Sequence, residues 1–354
     1  MKYLLTIFFL LLTMDVARSE PWFAIKTGQK CVACHVSPTG GGKRTVFGAM
    51  WAQTALSSKT AQQFWDGTVT DRVSLGANVR ANVTQTKIPG NNDRLAFETE
   101  EALLYAQLSL IPDKLFFYLD ERVAPGGASS REAYIFYWLK QNRAYVRAGR
   151  IFLPFGWRME DDTAFIRQVP GINYNTPDDG IEIGLERDHL SAQLAITNGT
   201  AGAGETDTGK QFSSRLSFIR NRWRAGVSAN FNDASGGSRT MYGLFAGART
   251  GPVNWLFEFD RVEDKGFTPA RDIDVGLIEA NWEIKKGINL KATYEHFDPD
   301  ADIDQDDQAR ASIVLELFPI QFTQISIGLR SRDGIPQSPL QNTDEFFVQL
   351  HGYF

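Results

Sequence analysis

From residue 69 to the C-terminus, the chain alternates apolar and polar residues with a period of two. In residues 223–231 the odd positions hold Trp, Ala, Val, Ala and Phe, while the even positions hold Arg, Gly, Ser and Asn. Residues 253–260, 288–295 and 310–317 follow a closely similar pattern. Successive side chains of a β-strand point to opposite faces, so this alternation predicts strands with one apolar and one polar face.

Sixteen segments of this kind follow one another without a helix-length periodicity between them. They lie near residues 71–86, 94–111, 114–123, 131–139, 144–151, 179–186, 190–197, 211–219, 223–232, 239–249, 253–262, 272–284, 288–297, 308–318, 321–330 and 343–354. A soluble β-sandwich is the alternative, in which one face of each strand meets water. So many amphipathic strands without covering helices favour a barrel instead.

The connections between these segments alternate in length. Every even-numbered strand is followed by a tight turn such as Pro112-Asp113, whereas odd-numbered strands are followed by longer polar loops such as 198–210 and 331–342. Short periplasmic turns and long outer loops are typical of outer-membrane barrels. We therefore predict an all-β fold, a 16-stranded antiparallel outer-membrane β-barrel over residues 69–354. Its last strand ends on Phe354, a terminal aromatic that resembles the signal read by the barrel assembly machinery.

One connection, residues 152–178 between the fifth and sixth strands, is much longer than its neighbours. It contains Trp157, Met159 and four acidic residues, and a loop of this length inside a compact fold is usually functional. Sixteen-stranded porins fold the loop between these same two strands into the lumen. We expect an inward-folded constriction here, with an ordinary surface loop as the alternative.

The first nineteen residues have the features of a secretory signal peptide. Lys2 supplies the positive start, residues 4–14 are apolar, and Ala17-Arg18-Ser19 places small residues at the two positions that a signal peptidase reads. A membrane anchor is the alternative, but the apolar run is too short to span a bilayer. We predict that residues 1–19 are removed and that the mature chain begins near Glu20.

Composition narrows the possible partners. The 354 residues are 43% hydrophobic, 12% aromatic and 22% charged, which excludes disordered, collagen-like and small disulfide-framework classes. The net charge of -5 shows no excess of the basic residues that bind phosphates, so we expect no nucleic-acid partner. No apolar run beyond residue 14 has the ~20 residues of a membrane-spanning helix.

The chain has only two cysteines, and both lie in the stretch Cys31-Val32-Ala33-Cys34-His35. Two cysteines at this spacing followed by histidine form the attachment pattern of c-type haem, in which the thiols bind the porphyrin and the histidine binds the iron. We predict one covalent haem c on Cys31, Cys34 and His35. A short disulfide is the alternative in an oxidising compartment. A zinc site would need a second Cys/His cluster, which the sequence lacks.

The residues around the motif predict a small plug. Three glycines at 40–42 allow the backbone to turn tightly or to lie against a flat group. Residues 44–56 have helical apolar spacing, and Met50 is the thioether nearest to His35. Met50 is therefore a candidate sixth iron ligand, although a methionine on an apolar helix face is more often a core residue. About fifty residues bury little surface alone, so we expect residues 20–68 to fold as a monohaem cytochrome c-like plug against the barrel.

An exported chain with one such motif, followed by sixteen strands, resembles the fused outer-membrane monohaem cytochrome c–porin family of iron-oxidising and other metal-respiring bacteria. The resemblance implies an electron conduit through the outer membrane, with the haem segment entering from the periplasmic side. The implied partners are a periplasmic cytochrome or other electron carrier, outer-membrane lipid, and an external electron donor or acceptor, with ferrous iron as one candidate.

Two other functions stay open at this point. The first is a diffusion porin for small solutes, in which a haem-bearing plug has a structural or gating role. The second is a haem enzyme or an oxidoreductase of metal ions. A peroxidase would need an acid–base residue beside the motif, whereas His189, His296 and His351 lie on or near barrel strands. Acidic residues predicted to face the lumen, such as Glu258 and Glu295, would attract cations or simply line a solvated wall.

Overall fold

The computed structural model describes residues 20–60, 63–234, 236–266 and 270–354, so the predicted signal peptide lies outside the described residues. The chain folds into one closed antiparallel barrel in which all sixteen predicted strands are present. The strands are β1 Val73–Lys87, β2 Arg94–Ile111, β3 Leu115–Ala124, β4 Ser129–Lys140, β5 Ala144–Ile151, β6 Asp178–Arg187, β7 Leu190–Thr197, β8 Gln211–Arg220, β9 Trp223–Ala234, β10 Gly237–Thr250, β11 Val253–Lys265, β12 Arg271–Lys285, β13 Ile288–Asp298, β14 Gln308–Leu317, β15 Thr323–Asp333 and β16 Asp344–Tyr353.

Each strand pairs with its neighbours in sequence, and β1 pairs with β16 to close the barrel. The closing register runs from Asn78 opposite Tyr353 to Lys87 opposite Asp344. Closure leaves no strand edge with unpaired backbone groups, which is a requirement for a barrel in an apolar medium. The predicted alternation of connections is found with one exception: β9 ends at Ala234 and β10 begins at Gly237, so the connection after this odd-numbered strand is only two residues long. Both strands extend beyond the predicted ends at 232 and 239, and the prediction of a longer loop between them is wrong. The tight turns lie at one end, with Asp113 and Asn142 in the left-handed conformation, and the long loops lie at the other.

The two faces of the barrel wall differ in polarity as the alternation predicts. On β11 the outward side chains of Phe257 and Phe259 are 41% and 50% exposed, whereas Glu258 and Asp260 are buried inside. This arrangement is the reverse of a soluble domain, because the apolar face points outward and the charged face lines the lumen. The charged residues that the sequence assigns to the lumen are all buried: Arg224, Glu258, Asp260, Lys291, Glu295, Arg310 and Glu316.

Short helices precede the barrel: α1 Pro21–Thr27, α2 Cys31–Cys34 and α3 Val46–Trp51, which continues as a π-helical turn over Ala52–Leu56. Trp22, Phe23 and Ile25 of α1 are buried in a hydrophobic cluster with Phe318 and Tyr353 of the barrel. Within the described ranges, no helix combines the length and the apolar character needed to cross a membrane.

The plug, of which residues 20–60 and 63–68 are described, lies inside the barrel near the short-turn end. Its side chains contact several parts of the barrel wall. Ion pairs join Lys26 to Glu283 of β12 at 2.6 Å and Lys30 to Glu186 of β6 at 3.3 Å. At its start, Glu20 accepts from Lys291 of β13 at 2.7 Å. Strands β6 and β12 are well separated around the barrel. The plug therefore extends across the lumen and contacts distant parts of its wall.

The long connection between β5 and β6 folds into the lumen, as predicted, and is called the inward loop (residues 152–177). The backbone N–H of Trp157 donates to Glu258 of β11 at 2.6 Å, and its indole N–H donates to the Phe257 carbonyl at 3.0 Å. Asp161 pairs with Arg310 of β14 at 3.0 Å. A short helix in this loop, α4 Phe165–Gln168, packs against β11, β12 and β13.

Candidate functional site

The cysteine motif forms a single helical turn. Cys31 and Cys34 begin and end α2, and their spacing of three places both thiols on one face of the helix. The next residue, His35, leaves the helix with an extended backbone, and its N–H donates to the Cys31 carbonyl at 2.9 Å. Both cysteines are half-buried free thiols, so neither is part of a disulfide in this structure.

The start of α3 holds α2 in place. The Thr45 N–H donates to the Cys34 carbonyl at 3.0 Å, and the Thr45 hydroxyl donates to the Ala33 carbonyl at 2.7 Å. The same hydroxyl accepts from the Gly48 N–H at 3.1 Å and so caps α3. A Cβ at Gly48 would lie 2.2 Å from the Cys34 carbonyl oxygen, so only glycine allows the two helices to pack this closely.

The glycine-rich stretch behind the motif lies between α2 and the barrel wall. Gly42 has φ +63°, and a Cβ there would lie 2.2 Å from the Tyr118 hydroxyl on β3. That hydroxyl accepts from the Lys43 N–H at 2.9 Å. Gly41 approaches the ring of Tyr174 in the inward loop, and Gly40 approaches Cys31. The glycines thus let the backbone turn within a narrow space between plug, wall and loop.

Both thiols and His35 open onto one cavity of about 710 Å³, called the motif cavity, which lies between the plug and the inward loop. The plug lines it with Glu20, Pro21, Phe23, Ala24, Gln29, Lys30, Thr39, Gly40, Gly41, Arg44, Gly48, Trp51 and Ala52; the inward loop adds Trp157 and Arg158, and β8 adds Arg215.

The charged groups around the motif cavity are mostly positive. Arg44, Arg158 and Arg215 line it, together with Lys30, against the single carboxylate of Glu20. Arg44 lies over the ring of Tyr353 at 3.8 Å, and Arg215 donates from Nε to the Gly156 carbonyl at 2.9 Å. A buried site with an excess of guanidinium groups favours a ligand that carries negative charge.

Arg158 shows this excess most directly. Its side chain is 93% buried, and its guanidinium lies 4.4 Å from the ring centre of Phe152 and 5.1 Å from that of Tyr174. Nη2 donates to the Leu153 carbonyl at 3.1 Å, whereas Nε and Nη1 have no hydrogen-bond partner among the described residues. Burial lowers the pKa of Arg158 to about 10, so the group still carries its charge at neutral pH.

His35 is suited to bind a metal. The residue is buried, and burial, with the positive charge of Arg44 as a smaller cause, lowers the pKa of the imidazole to about 3. The ring is therefore neutral at physiological pH and keeps a lone pair for coordination. Burial raises the pKa of the Cys34 thiol to about 11, and the neighbouring Cys31 adds to this effect, so Cys34 is protonated in this environment.

The strand architecture has clear counterparts among solved structures. An anion-selective porin from Comamonas acidovorans matches with a TM-score of 0.63 at 12% identity, over 80% of this chain and 99% of that chain. The fold is that of the outer-membrane porins. OmpT of Vibrio cholerae without loop L8 (TM-score 0.61, 11% identity, 80% and 100% covered) and OprB of Pseudomonas putida (0.61, 8%, 80% and 94%) agree. At these identities the likeness concerns the fold alone.

No family model matches the sequence, and no curated protein matches it. The porin half of the predicted architecture is thus confirmed at the level of fold. The cytochrome half, with haem c on Cys31, Cys34 and His35, stays a prediction that rests on the motif and on the cavity around it.

Met50, the candidate sixth iron ligand, does not line the motif cavity. It is half-buried on α3 and is not among the residues that line the motif cavity, whereas the next residue, Trp51, is. Met159 of the inward loop lines a different cavity. Among the lining residues in the described part of the chain, His35 is the one histidine and there is no methionine. Iron binding by Met50 therefore stays an untested prediction. It would require α3 to shift or rotate so that the Met50 sulfur faces the motif cavity.

That second cavity, the acidic chamber, has a volume of about 1130 Å³ and meets the motif cavity at Glu20. Acidic residues outnumber basic ones in its lining. The acids are Glu20, Glu98, Glu100, Glu160, Asp161, Asp162, Glu279, Glu295 and Glu345, and the bases are Arg80, Lys291, Arg310 and Arg330. Several are paired, as Asp161 is with Arg310 and Arg330.

The sequence did not single out Glu20, Arg44 or Arg215 as site residues. Arg215 is a polar position on an alternating strand, so its inward direction is readable, but nothing in its neighbourhood distinguishes it from other lumen arginines. Glu20 lies before the motif and Arg44 lies after it, and neither belongs to a sequence pattern known to bind a ligand. Trp157 and Arg158 were expected to fold inward with their loop, and they do so.

Proposed function

We propose that this protein is a porin-type barrel of the outer membrane whose plug carries one covalent haem c and transfers electrons across the membrane. One observation carries the proposal. Both thiols of the motif and the imidazole of His35 open onto the same buried cavity, and that cavity has an excess of arginine charge. A porphyrin with two carboxylate groups would match this combination of thiols, neutral imidazole and guanidinium groups.

Residues of the plug, the inward loop and β8 would hold the group. Cys31 and Cys34 would form the thioether bonds, and His35 would bind the iron. Arg44, Arg158 and Arg215 lie where they would neutralise carboxylates, while Phe23, Trp51 and Trp157 offer flat apolar surfaces that exclude water. When bound, haem supplies one-electron redox chemistry; the barrel supplies a lumen that lipid surrounds and that the plug and the inward loop narrow.

The position of the motif cavity is suitable for a conduit. In outer-membrane barrels the short turns face the periplasm and the long loops face outward. The plug contacts the short-turn end, and the acidic chamber adjoins the motif cavity at Glu20. Carboxylates that line this chamber would concentrate external cations near the cavity, which fits a cationic electron donor such as ferrous iron. A periplasmic electron carrier would approach the plug from the short-turn end of the barrel.

A second candidate function is a diffusion porin, with the plug as a structural or gating element. The solved structures that match this fold are porins, so the comparisons favour a channel more directly than they favour a conduit. Under this function a water-filled passage would remain beside the plug, and any group on the motif would have no role in transport.

Electron transfer across sealed vesicles tests the first function against the second. We expect the full protein to pass electrons from an external ferrous donor to an acceptor enclosed in the vesicle. His35→Ala removes the iron ligand and should lower this flux by about tenfold or more. His296→Ala, an exposed histidine near the long loops, is the matched control and should leave the flux unchanged. Equal flux in all three proteins would rule out the conduit.

A redox titration tests the role of Arg158. Arg158→Gln removes a buried positive charge from the cavity, which disfavours the reduced state, so the midpoint potential should fall by an amount on the order of tens of millivolts. Met50→Ala provides the contrast. Because Met50 does not line the cavity, the visible spectrum and the potential should stay unchanged. A loss of the thioether absorption band in Met50→Ala would instead establish Met50 as the sixth ligand.

A further inference from the structure

A groove of about 2040 Å³ opens at the short-turn end of the barrel, next to the motif. One side is formed by Val32, Ala33 and His35 of the plug, and the other side includes Phe116 and Trp138 of the wall. His35 also lines the motif cavity, so α2 separates the two spaces by a single helical turn. A molecule in this groove, called the short-turn groove, would therefore lie close to the thiols without entering the motif cavity.

The edge of the short-turn groove carries exposed apolar side chains. Val46 is 58% exposed and Phe47 is 49% exposed, and both line the groove. They belong to α3 of the plug and not to the outward face of the barrel, so their exposure is not explained by contact with lipid. Interfaces between proteins commonly have an apolar centre of this kind inside a polar rim.

Basic residues surround this end of the barrel. In the seven short turns and the strand ends beside them, all of which are described, eight basic residues are exposed and only Asp113 and Asp188 are exposed acids. We call the eight the basic ring: Lys114, Lys140, Arg143, Arg187, Arg220, Arg222, Lys285 and Lys286. The opposite end is acidic, since residues 298–307 alone contain six aspartates.

Within the short-turn groove itself acidic residues outnumber basic ones by five to three. Lys30, Lys43 and Arg72 face Asp66, Asp71, Asp113, Glu186 and Asp188. Lys30 is paired with Glu186 at 3.3 Å. The excess positive charge therefore lies on the rim and not in the groove. On the rim it acts at long range on an approaching molecule, while the exposed apolar side chains of Val46 and Phe47 are available for close contact.

We propose that the short-turn groove and the basic ring form the docking site for a small soluble electron-transfer protein whose own redox centre is surrounded by an acidic face. The proposal rests on the proposed function, because it assigns the partner of the haem-bearing plug. Encounter complexes of this kind use small interfaces and depend on charge steering for their association rate. A basic rim around an apolar centre, one helical turn from the thiols, has the features that such a complex needs.

Anionic lipid headgroups are the other class of ligand that a ring of lysine and arginine attracts. Headgroups would contact the turns from outside the wall and would not use Val46, Phe47 or the groove. The exposed apolar residues beside α2 therefore favour a protein partner over lipid headgroups. The experiment below distinguishes these two ligands.

The test uses the full chain in nanodiscs of zwitterionic lipid and two soluble c-type cytochromes as probes, one with an acidic surface and one with a basic surface. The variant K114E/R143E/R187E reverses three charges of the basic ring beside the groove. The matched control R94E/K265E/R271E reverses three exposed charges at the long-loop end. Binding is measured by a surface-capture assay, and electron transfer is measured by stopped-flow absorbance, each at several salt concentrations.

We expect the ring variant to bind the acidic cytochrome about tenfold more weakly at low salt, with the difference disappearing as salt screens the charges. The control variant should bind like the unchanged protein, and Phe47→Ser should weaken binding at every salt concentration. Equal binding by ring and control variants, or no preference for the acidic probe, would overturn the proposal. Binding to separate vesicles of anionic phosphatidylglycerol is measured in parallel. A ring variant that binds the acidic cytochrome normally and loses only its binding to these vesicles would also overturn the proposal.

A haem-free variant distinguishes this proposal from the proposed function. Cys31→Ala/Cys34→Ala keeps the groove and the ring, so it should bind the acidic cytochrome as the unchanged protein does. Retained docking together with an absence of haem in the unchanged protein would support the docking site and remove the proposed electron transfer. Loss of docking in a ring variant that still carries haem supports both, and docking unchanged by the ring variant removes the docking site alone.

Discussion

Replacing Cys31 and Cys34 by alanine is expected to abolish covalent haem staining on a denaturing gel while the barrel still assembles. The two thiols share one face of α2 and open onto the motif cavity, so no other group in the chain can form the thioether bonds. The strands contain no cysteine, and their pairing does not depend on the motif. Haem staining reports attachment, and the heat-dependent gel mobility of the barrel reports assembly.

Val32→Ala is the matched control for this pair, because Val32 lies in the same helical turn but faces the short-turn groove. It should keep full haem staining. Staining that persists in the double alanine variant would contradict the attachment, and with it the proposed electron transfer. Staining lost together with the barrel would be resolved by the two single variants, each of which should retain one thioether bond and a reduced signal.

Deleting residues 20–68 while keeping residues 1–19 should raise the ionic conductance of the barrel in planar bilayers by about an order of magnitude, because an unplugged barrel of sixteen strands encloses an aqueous channel. In the intact protein Lys26 and Lys30 of the plug pair with Glu283 and Glu186 on separate parts of the wall. Without the plug, the inward loop is the remaining constriction, held by contacts such as Arg167 with Glu258 at 2.9 Å.

A deletion of residues 300–306 in an outer loop is the control for the plug deletion, since it shortens the chain outside the lumen. It should leave the conductance close to that of the intact protein. A large conductance in the intact protein, equal to that of the plug deletion, would show that solutes pass beside the plug. Together with a vesicle flux that does not depend on His35, that result would establish the diffusion porin as the function.

The strand pattern was predictable because each strand repeats a local rule. Phe257 and Glu258 are adjacent in sequence and point to opposite faces of the wall, so their alternation reports the strand and its two environments at once. The length of most connections is equally local, and their order indicates which end of the barrel holds the turns, although the connection between β9 and β10 is shorter than predicted. The motif of Cys31, Cys34 and His35 is local as well, since the proposed haem attachment depends on a spacing within five residues.

The motif cavity was not predictable in the same way. Arg158 and Arg215 come from the inward loop and from β8, and they meet the plug only because the barrel closes and the loop folds back into it. The case of Met50 shows the limit within the plug itself. Met50 and Trp51 are neighbours on α3, yet only Trp51 lines the cavity, and distance along the sequence cannot decide which side of a short helix faces a space formed by other segments.

By itself, then, the sequence determined the sixteen strands and the polarity of their two faces, and it supplied the motif on which the proposed haem attachment rests. Only the tertiary structure decided which parts of the wall the plug contacts, that three arginines line the cavity onto which the thiols open, and that the basic ring surrounds the short-turn groove. The physical reason is that hydrophobic periodicity records which side of a segment is buried or exposed. It does not record which distant segment lies opposite, because that depends on the closure of the whole barrel.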